Sequence, residues 1–480
     1  MHMQVTGGKN ITLNRLWYSV ALLLILAMPI GVFFLSGTEV LIWICLLIVG
    51  LCYHGIVTLI KKDCVGQSVF CDYRFYIFSI MLVYTAVTPV YGLLTNVEKN
   101  GIIALNAWFA QVFTSKELFE TTIISVLFFM GILLGVKSAT LRRKKKCEFQ
   151  YSPLPENKNQ VKKLVMGWAI VCIVSTLYWL RPFINGGFKA ILEGGTIDSV
   201  DMSSTSRILD KFFGADMMVA STVALVFYIF QLNIKSRTRW AVIISILGSQ
   251  CLLAFLTTRR GRVIAIILCV VVIYITWYVN QKKRLPIVQA GCFLGAIVFL
   301  YMLEVIMNFE SGTRNLSDVL RLFDGVPAYD SLLTAVRENQ TGGMLVNVVY
   351  GFFRPIPILG KHIVQMFGMD QGSSPLYLWM ASHYPSIYES GGGLAYTPQL
   401  EAYLSGGLVA AFGFGLFYGI VFGKKREGLT GLFVIAMSFS IARGTTEVLM
   451  HLVWTYGIIG YYFYDRILFR KVRFGNQSHF

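Results

Sequence analysis

The stretch VLIWICLLIVGLCYHGIVTLI, residues 40 to 60, contains no Asp, Glu, Lys or Arg, and Lys61 and Lys62 follow it directly. A helix crosses the roughly 30 Å of hydrocarbon in a bilayer with about 20 predominantly apolar residues. Basic residues collect at the cytoplasmic ends of such helices. The stretch therefore predicts a transmembrane helix whose Lys61 end faces the cytoplasm.

The whole chain shares this apolar character. Of its 480 residues, 55% are hydrophobic and 14% are charged, whereas soluble domains are about 45 to 50% apolar and about 25% charged. This composition excludes an ordinary cytoplasmic globule and predicts an all-α, polytopic membrane protein with about twelve transmembrane helices in a single membrane domain over residues 1–480. The first candidate span is interpreted as uncleaved, because its apolar run is too long for a signal peptide. The candidate spans are 16–35, 40–60, 75–94, 121–137, 164–180, 214–234, 240–257, 263–280, 286–306, 400–422, 429–442 and 446–464.

The formal net charge of +17 has two explanations, a nucleic-acid partner or the topology bias of membrane proteins. With twelve spans and a cytoplasmic N-terminus, the short basic loops all lie on the cytoplasmic side. They are KK at 61, RRKKK at 142, KSRTR at 235, KKR at 282 and KKR at 424. This distribution favours the topology explanation, so we expect both termini in the cytoplasm and no nucleic-acid partner.

One long outer loop, residues 307 to 399, lies between the ninth and tenth candidate spans. Loops of this length are usually functional or disordered, and this one is rich in Phe, Tyr, Leu, Val and Trp. Within it, residues 317 to 339 carry an N-cap Ser and place Leu332, Leu333 and Val336 at helical spacing. We expect short helices on or near the membrane surface in this periplasmic loop.

The span centres are nearly free of ionisable residues, which weakens the case for an ion-coupled transporter. The chain also has no GxxxxGK[ST], no HExxH and no closely spaced acidic DxD. We therefore expect an outward-facing site that uses no metal and no other cofactor.

Three arginines lie in the short connection between the seventh and eighth spans, Arg259, Arg260 and Arg262. They face the outer side, where basic residues are disfavoured. Two explanations remain open. The side chains extend to lipid phosphates at the interface, or they bind a specific polyanion.

Arg443 is a second outward arginine. The sixteen residues 427 to 442 span roughly 24 Å as a helix, less than the hydrocarbon thickness, so Arg443 is expected below the outer surface. If the helix restarts at once, Arg443, Glu447 and His451 share one face of the last span. They form either an ion pair that orders two helices or the wall of a polar cavity.

Arginine suits phosphate because its planar guanidinium group donates two parallel hydrogen bonds and stays ionised. The two outward arginine sites therefore suggest a lipid-linked phosphate or pyrophosphate. Glu401, at the start of the tenth span, is either a first-turn acid favoured by the helix dipole or a base facing the cavity.

The chain resembles the oligosaccharide repeat unit polymerases, the Wzy-type O-antigen polymerases of bacterial envelopes. The resemblance covers the number of spans, the large periplasmic loop in the second half and the cytoplasmic termini. Four motifs carry it locally, TTRRGR at 257–262, FFRPIPILGK at 352–361, TPQLEAYLSGGLVAAFGFGLFYG at 397–419 and SIARGTTE at 440–447. A ligase that moves finished glycan to another lipid and a lipid-linked oligosaccharide flippase are the alternatives.

The resemblance implies a membrane glycosyltransferase of the bacterial inner membrane. Its substrates would be undecaprenyl-pyrophosphate-linked oligosaccharides, its surroundings membrane lipids, and a chain-length regulator protein a further partner. The reaction transfers a glycan en bloc, at the periplasmic face, to the non-reducing end of a lipid-linked repeat unit. Arg259, Arg260, Arg262 and Arg443 would stabilise the leaving pyrophosphate.

The acceptor hydroxyl needs a general base, usually a carboxylate or His. Our candidates are Glu401, His383 and Glu447, in that order. Arg354, in the FFRPIPILGK stretch, would bind an acceptor phosphate or only brace the loop.

Overall fold

The computed structural model describes thirteen α-helices over most of the predicted membrane region. Its described residues are 37–64, 68–94, 102–103, 112–141, 215–231, 235–257, 260–282, 325–341, 345–356, 359–368, 375–385, 396–426, 428–454 and 456, with isolated residues between 166 and 177. The helices are α1 Gly37–Asp63, α2 Tyr73–Leu94, α3 Ser115–Leu141, α4 Ala215–Gln231, α5 Ser236–Thr257, α6 Arg260–Lys282, α7 Gly325–Arg337, α8 Leu345–Phe353, α9 Leu359–Met366, α10 Pro375–His383, α11 Pro398–Gly423, α12 Leu429–Ala442 and α13 Thr446–Leu452. A 3-10 turn, Val69–Cys71, precedes α2, and β1 (Ile102–Ile103) pairs antiparallel with β2 (Val112–Phe113).

The all-α membrane fold is confirmed. Among the described residues, four helices are long and apolar enough to cross a membrane, Gly37–Asp63, Tyr73–Val90, Ser115–Leu141 and Pro398–Gly423. Three shorter apolar helices accompany them, Met218–Gln231, Val263–Val279 and Leu429–Ala442. The predicted spans 16–35 and 286–306, and nearly all of 164–180, lie outside the described residues.

The longest contact in the bundle is the seam between α3 and α11, where glycines let the two backbones touch. A Cβ added at Gly415 would lie 2.0 Å from the carbonyl oxygen of Phe128, and additions at Gly131, Gly135 and Gly419 would also meet backbone at 2.3–2.4 Å. Small residues at such interfaces give the close packing that holds helices together in lipid. The seam therefore fixes α11, which carries Glu401, against α3.

At one end of the seam, Arg74 ties three helices together. Its guanidinium group is fully buried and contacts Asp63 at 2.8 Å and Asp72 at 2.7 Å. It also donates to the carbonyl oxygen of Gly423 at 3.0 Å. The end of α1, the start of α2 and the end of α11 therefore meet here, beside the basic segments KK at 61 and KKR at 424.

At the other end, helices of the long loop pack on the bundle. The helix predicted within residues 317 to 339 is confirmed over Gly325–Arg337, and Leu332 and Leu333 in it are fully buried. This helix, α7, contacts α2, α3 and α11. Arg337 at its end pairs with Glu117 of α3 at 2.7 Å, which anchors the loop to the seam helix.

A break divides α11 into two segments. Gly406 and Gly407 depart from helical geometry, and Gly407 has φ 62°, a conformation that glycine adopts at little cost. The first segment, 398 to 405, carries Glu401, whereas the segment after the break carries the seam glycines Gly415 and Gly419.

Candidate active site

The start of α11 is built by a cap that the sequence encodes locally. Thr397 is the N-cap and accepts a hydrogen bond from the Leu400 backbone at 3.2 Å, and Pro398 follows as the first helical residue. Such a Thr–Pro pair favours a helix start. The turn places Glu401 inside the protein, where it is 1% exposed.

Glu401 bonds to another helix. Its Oε2 accepts hydrogen bonds from the backbone N–H of Thr446 at 2.6 Å and from the Thr446 hydroxyl at 2.8 Å. Glu401 therefore occupies the N-terminus of α13, where backbone donors and the helix dipole favour an anion. This contact connects the first segment of α11 to the last described helix.

Arg443 lies in the break between α12 and α13. It is the C-cap residue of α12, its carbonyl oxygen accepts a hydrogen bond from Tyr396 N–H at 3.2 Å, and Thr445 caps the start of α13. The expectation that Arg443 shares a helical face with Glu447 and His451 is therefore wrong, because the helix restarts only at Thr446. Glu447 and His451 alone keep the i, i+4 relation on α13.

A turn of the long loop closes over the N-terminus of α13. A Cβ on Gly351 of α8 would lie 2.8 Å from the backbone nitrogen of Glu447, so the two backbones are in contact. Arg354 follows α8, and its Nε donates to the Tyr350 hydroxyl at 3.2 Å. Arg354 and His451 both act electrostatically on the Glu447 carboxylate.

The structure thus brings five of the predicted residues to one place, the break between α12 and α13. Arg354, Arg443, Glu447 and His451 are half-buried, whereas Glu401 is fully buried. Half-buried charged side chains can contact both protein and a bound molecule. We name these five residues the break cluster.

His383 belongs to a different cluster. It ends α10, stacks on the Trp379 ring at 4.4 Å between centroids, and its Nε2 lies 2.7 Å from a Glu338 oxygen. Its Nδ1 lies 2.7 Å from the Trp379 carbonyl oxygen. Both ring nitrogens therefore have partners within the long loop.

The arginines at 259, 260 and 262 are only partly described. α5 ends at Thr257 and α6 begins at Arg260, which agrees with the predicted tight connection. Arg259 lies outside the described residues, as do the side chains of Arg260 and Arg262.

Two residues that sequence reasoning missed are Thr446 and Asp330. Thr446 could have been noticed from the Thr445–Thr446–Glu447 start signal of a helix. Asp330 lies on α7, is 1% exposed, and neither carboxylate oxygen has a hydrogen-bond partner within the described part of the chain. Burial raises its pKa to about 8, so α7 docks with this carboxyl group protonated at neutral pH.

The break cluster contains two arginines and one histidine beside two carboxylates, and Glu401 is already bound by the two Thr446 donors. The arginines are therefore the groups in the cluster that suit an anion. Among the residues that the structure describes, no three His, Cys, Asp or Glu side chains converge as a metal site requires. The cluster can hold a phosphate group with arginine and place a carboxylate beside it. Fold and site together define a polytopic membrane protein whose charged cluster lies beneath a folded loop.

The family model for O-antigen polysaccharide polymerase Wzy matches residues 16–469, and the chain belongs to this family. The resemblance drawn from the four motifs is therefore confirmed. The protein is a multi-pass membrane enzyme of polysaccharide biosynthesis that acts on lipid-linked oligosaccharide repeat units. Neither a curated protein nor a solved structure matches the chain.

Proposed function

We propose that this polymerase transfers the growing glycan en bloc from undecaprenyl pyrophosphate to the non-reducing end of a lipid-linked repeat unit. The reaction takes place at the periplasmic face of the inner membrane and uses no metal ion. One observation carries the proposal. Arg354 and His451 act electrostatically on the half-buried Glu447, which lies in the first turn of the helix that follows the break at Arg443.

The protein must do two things in this reaction, which are to take the proton from the acceptor hydroxyl and to stabilise the leaving pyrophosphate. The acceptor hydroxyl attacks the anomeric carbon and loses its proton, while the bond between that carbon and the pyrophosphate oxygen breaks. The leaving pyrophosphate takes the bonding electron pair and gains negative charge. Fixed cations aimed at that oxygen stabilise the transition state more than the ground state.

The proposed base is Glu447. Its half-buried carboxylate lies at the edge of the break cluster, in contact with the loop turn that carries Arg354. Glu401, the first candidate from sequence, is almost fully buried and is occupied by two donors of Thr446. We therefore assign Glu401 the role of positioning α13. His383, shared between Glu338 and the Trp379 carbonyl oxygen, is a weaker candidate than Glu447.

The proposed pyrophosphate ligands are Arg443 and the arginines Arg259, Arg260 and Arg262. Arg443 is half-buried at the end of α12, next to the start of α13. Arg354 is the proposed ligand of the acceptor phosphate, since it lies next to Glu447 on the loop side.

The test uses purified protein and lipid-linked repeat units in detergent with EDTA, and product length is measured on a gel. The wild type is expected to form a ladder of products. Glu447→Gln, Arg443→Ala and Arg260→Ala are each expected to lower the rate by roughly 100-fold or more, as loss of a general base or a charge-stabilising group does.

Glu120→Gln is the matched control, because Glu120 is an exposed carboxylate on α3 outside the cluster. It is expected to give the wild-type ladder. Wild-type ladders from Glu447→Gln and Arg443→Ala would refute the assigned site. A ladder that appears only when a divalent metal is added would refute the metal-independent reaction, and transfer to a different final lipid would indicate a ligase.

A further inference from the structure

The segment around α8 is apolar, although it belongs to the long loop. Arg354 is the only charged residue between Glu338 and Lys361, and α8 itself, LVNVVYGFF, carries no charge. An apolar helix of this length is too short to span a bilayer and is typical of a buried core helix or of a segment that enters the bilayer and turns back. The neighbours of α8 and its exposed side chains favour the second case.

α8 runs beside the membrane-spanning part of α11. A Cβ on Gly407 would lie 3.5 Å from Cγ2 of Thr341, which precedes α8. Near the end of α8, the Phe352 ring packs against the edge of the Phe417 ring, with 5.9 Å between the centroids. Phe417 comes ten residues after Gly407, about 15 Å further along a helix. The chain therefore passes from the break in α11 to the middle of its spanning segment, a depth that lies inside the hydrocarbon.

The turn after α8 satisfies its backbone donors. The N–H groups of Arg354, Ile356 and Gly360 donate to carbonyl oxygens three or four residues earlier, at 2.8–3.0 Å. Pro355 and Pro357 have no N–H group. Non-helical backbone is tolerated at membrane depth when the protein satisfies its polar groups, and the donors at these five positions meet that condition.

The one charge of the segment also has protein partners. Arg354 Nε donates to the hydroxyl of the buried Tyr350 at 3.2 Å, and Arg354 acts electrostatically on Glu447. Gly351, in contact with the backbone of α13, keeps this part of α8 against the bundle. Charged side chains within membranes face the protein and pair in this way.

Large apolar side chains of α8 and α9 are exposed. Val346 of α8 is 44% exposed, and Leu359 and Met366 of α9 are 58% and 86% exposed. Leu359 and Met366 are seven residues apart and share one face of α9. The opposite face carries Lys361 and Gln365. A helix divided in this way places its apolar face in the hydrocarbon and its polar face among the lipid head groups.

We propose that α8 and the turn at Arg354 form a re-entrant segment, which enters the bilayer beside α11 and returns to the membrane surface through α9. The exposed side chains of Val346, Leu359 and Met366 contact lipid hydrocarbon. Lipid is the occupant, rather than another protein, because α8 packs on the part of α11 that the bilayer surrounds. A helix lying flat on the membrane surface would not bring Phe352 to Phe417.

Fluorescence quenching in lipid nanodiscs tests the proposal, with a fluorescent amino acid encoded in place of Val346 or Leu359. Lipids brominated on their acyl chains quench a fluorophore in hydrocarbon, and iodide quenches one in water. We expect the brominated lipids to quench both positions and iodide to quench neither. Bromines placed further down the acyl chain should quench the fluorophore at Leu359 more than the one at Val346, because the segment is deepest at its turn.

Leu51, 54% exposed on the spanning helix α1, is the lipid control, and Lys116, whose side chain is 81% exposed at the start of α3, is the water control. Iodide quenching at Leu359 as strong as at Lys116 would place the segment in water and overturn the proposal. Protection from both quenchers would indicate a covering protein or a second copy of the chain. Equal depths at Val346 and Leu359 would indicate a surface helix, and either result would overturn the proposal.

Carbene labelling tests the unmodified chain, so a variant that fails to fold does not decide the outcome. A diazirine reagent dissolved in the bilayer should label peptides from residues 346–367 more than a water-soluble diazirine does. The opposite preference would overturn the proposal. Neither measurement depends on polymer formation, so both are independent of the proposed reaction.

Discussion

Arginine and carboxylate side chains lie near one another at both ends of α11, and the two sites differ in how completely these charged groups are buried. At the C-terminal end of α11, Arg74 is fully buried and binds Asp63, Asp72 and the Gly423 carbonyl oxygen. At the N-terminal end, Arg354, Arg443 and Glu447 remain half-buried. A fully satisfied buried charge has no capacity left for a ligand, whereas a half-buried charge keeps some. The Arg74 site holds the fold, and the break cluster is where chemistry can occur.

The largest difference between the two sites is expected when the free energies of unfolding of Arg74→Gln and Arg443→Gln are compared. Removing Arg74 leaves the buried Asp72 and the partly buried Asp63 without their cation, which costs roughly 3–5 kcal/mol. Arg443→Gln should change the free energy of unfolding by less than about 1 kcal/mol, because the side chain is half-exposed. Both can be measured by thermal unfolding in detergent. A similar loss of stability in the two variants would remove the distinction between the two ends.

A smaller effect is expected at the seam that joins the two ends. Gly415→Ala places a Cβ 2.0 Å from the Phe128 carbonyl oxygen, so the helices must separate, at a cost of about 1–3 kcal/mol. Gly413→Ala is the matched control on the same helix, since a Cβ there meets nothing within 4 Å. Alanine is the better helix former, so the control should be neutral or slightly stabilising. If the two alanine variants have the same melting temperature, the seam is not close-packed.

The most local effect concerns Asp330. Burial raises the pKa of its carboxyl group to about 8. An aspartate in the unfolded chain titrates near 3.9, so the folded state binds more protons between about pH 4 and pH 8. The stability that this carboxyl group contributes is present below pH 4 and is lost as the pH rises through 8. Asp330→Asn should remove this dependence, because an amide does not ionise.

Amide hydrogen exchange of α7 at several pH values is the appropriate measurement. In the wild type, exchange corrected for its intrinsic pH dependence should speed up towards pH 8, and in Asp330→Asn it should stay level. Equal pH dependence in the two proteins would mean that Asp330 does not control docking of the loop. Asp63→Asn beside Arg74 should leave the exchange of α7 unchanged, which separates the two regions.

The positions of the helices could be predicted from sequence to a large extent. The apolar stretch 40–60 became Gly37–Asp63, and the span predicted at 429–442 is Leu429–Ala442. Uninterrupted apolar runs decide such helices, because the bilayer leaves backbone polar groups no partner outside the helix. Short helices were predicted in the long loop, and α7 lies within its predicted range.

The geometry of the site was less accessible. The bond between Glu401 and Thr446 joins residues 45 positions apart, and no local pattern encodes it. Arg443, Glu447 and His451 do not share one helical face, because Thr445 caps a new helix. Whether the helix continues or restarts depends on the turn at Gly444. The separate cluster around His383 depends on how the loop helices fold together.

The break at Gly406 and Gly407 also determines what kinds of insertion the enzyme can tolerate. One extra residue turns an uninterrupted helix by about 100°, and in α11 that rotation would carry Gly415 and Gly419 away from α3. Since Gly407 interrupts the helix at φ 62°, a change of length before it rotates only the first segment. The length of the loop before α11 can therefore change while the register between α3 and α11 stays the same.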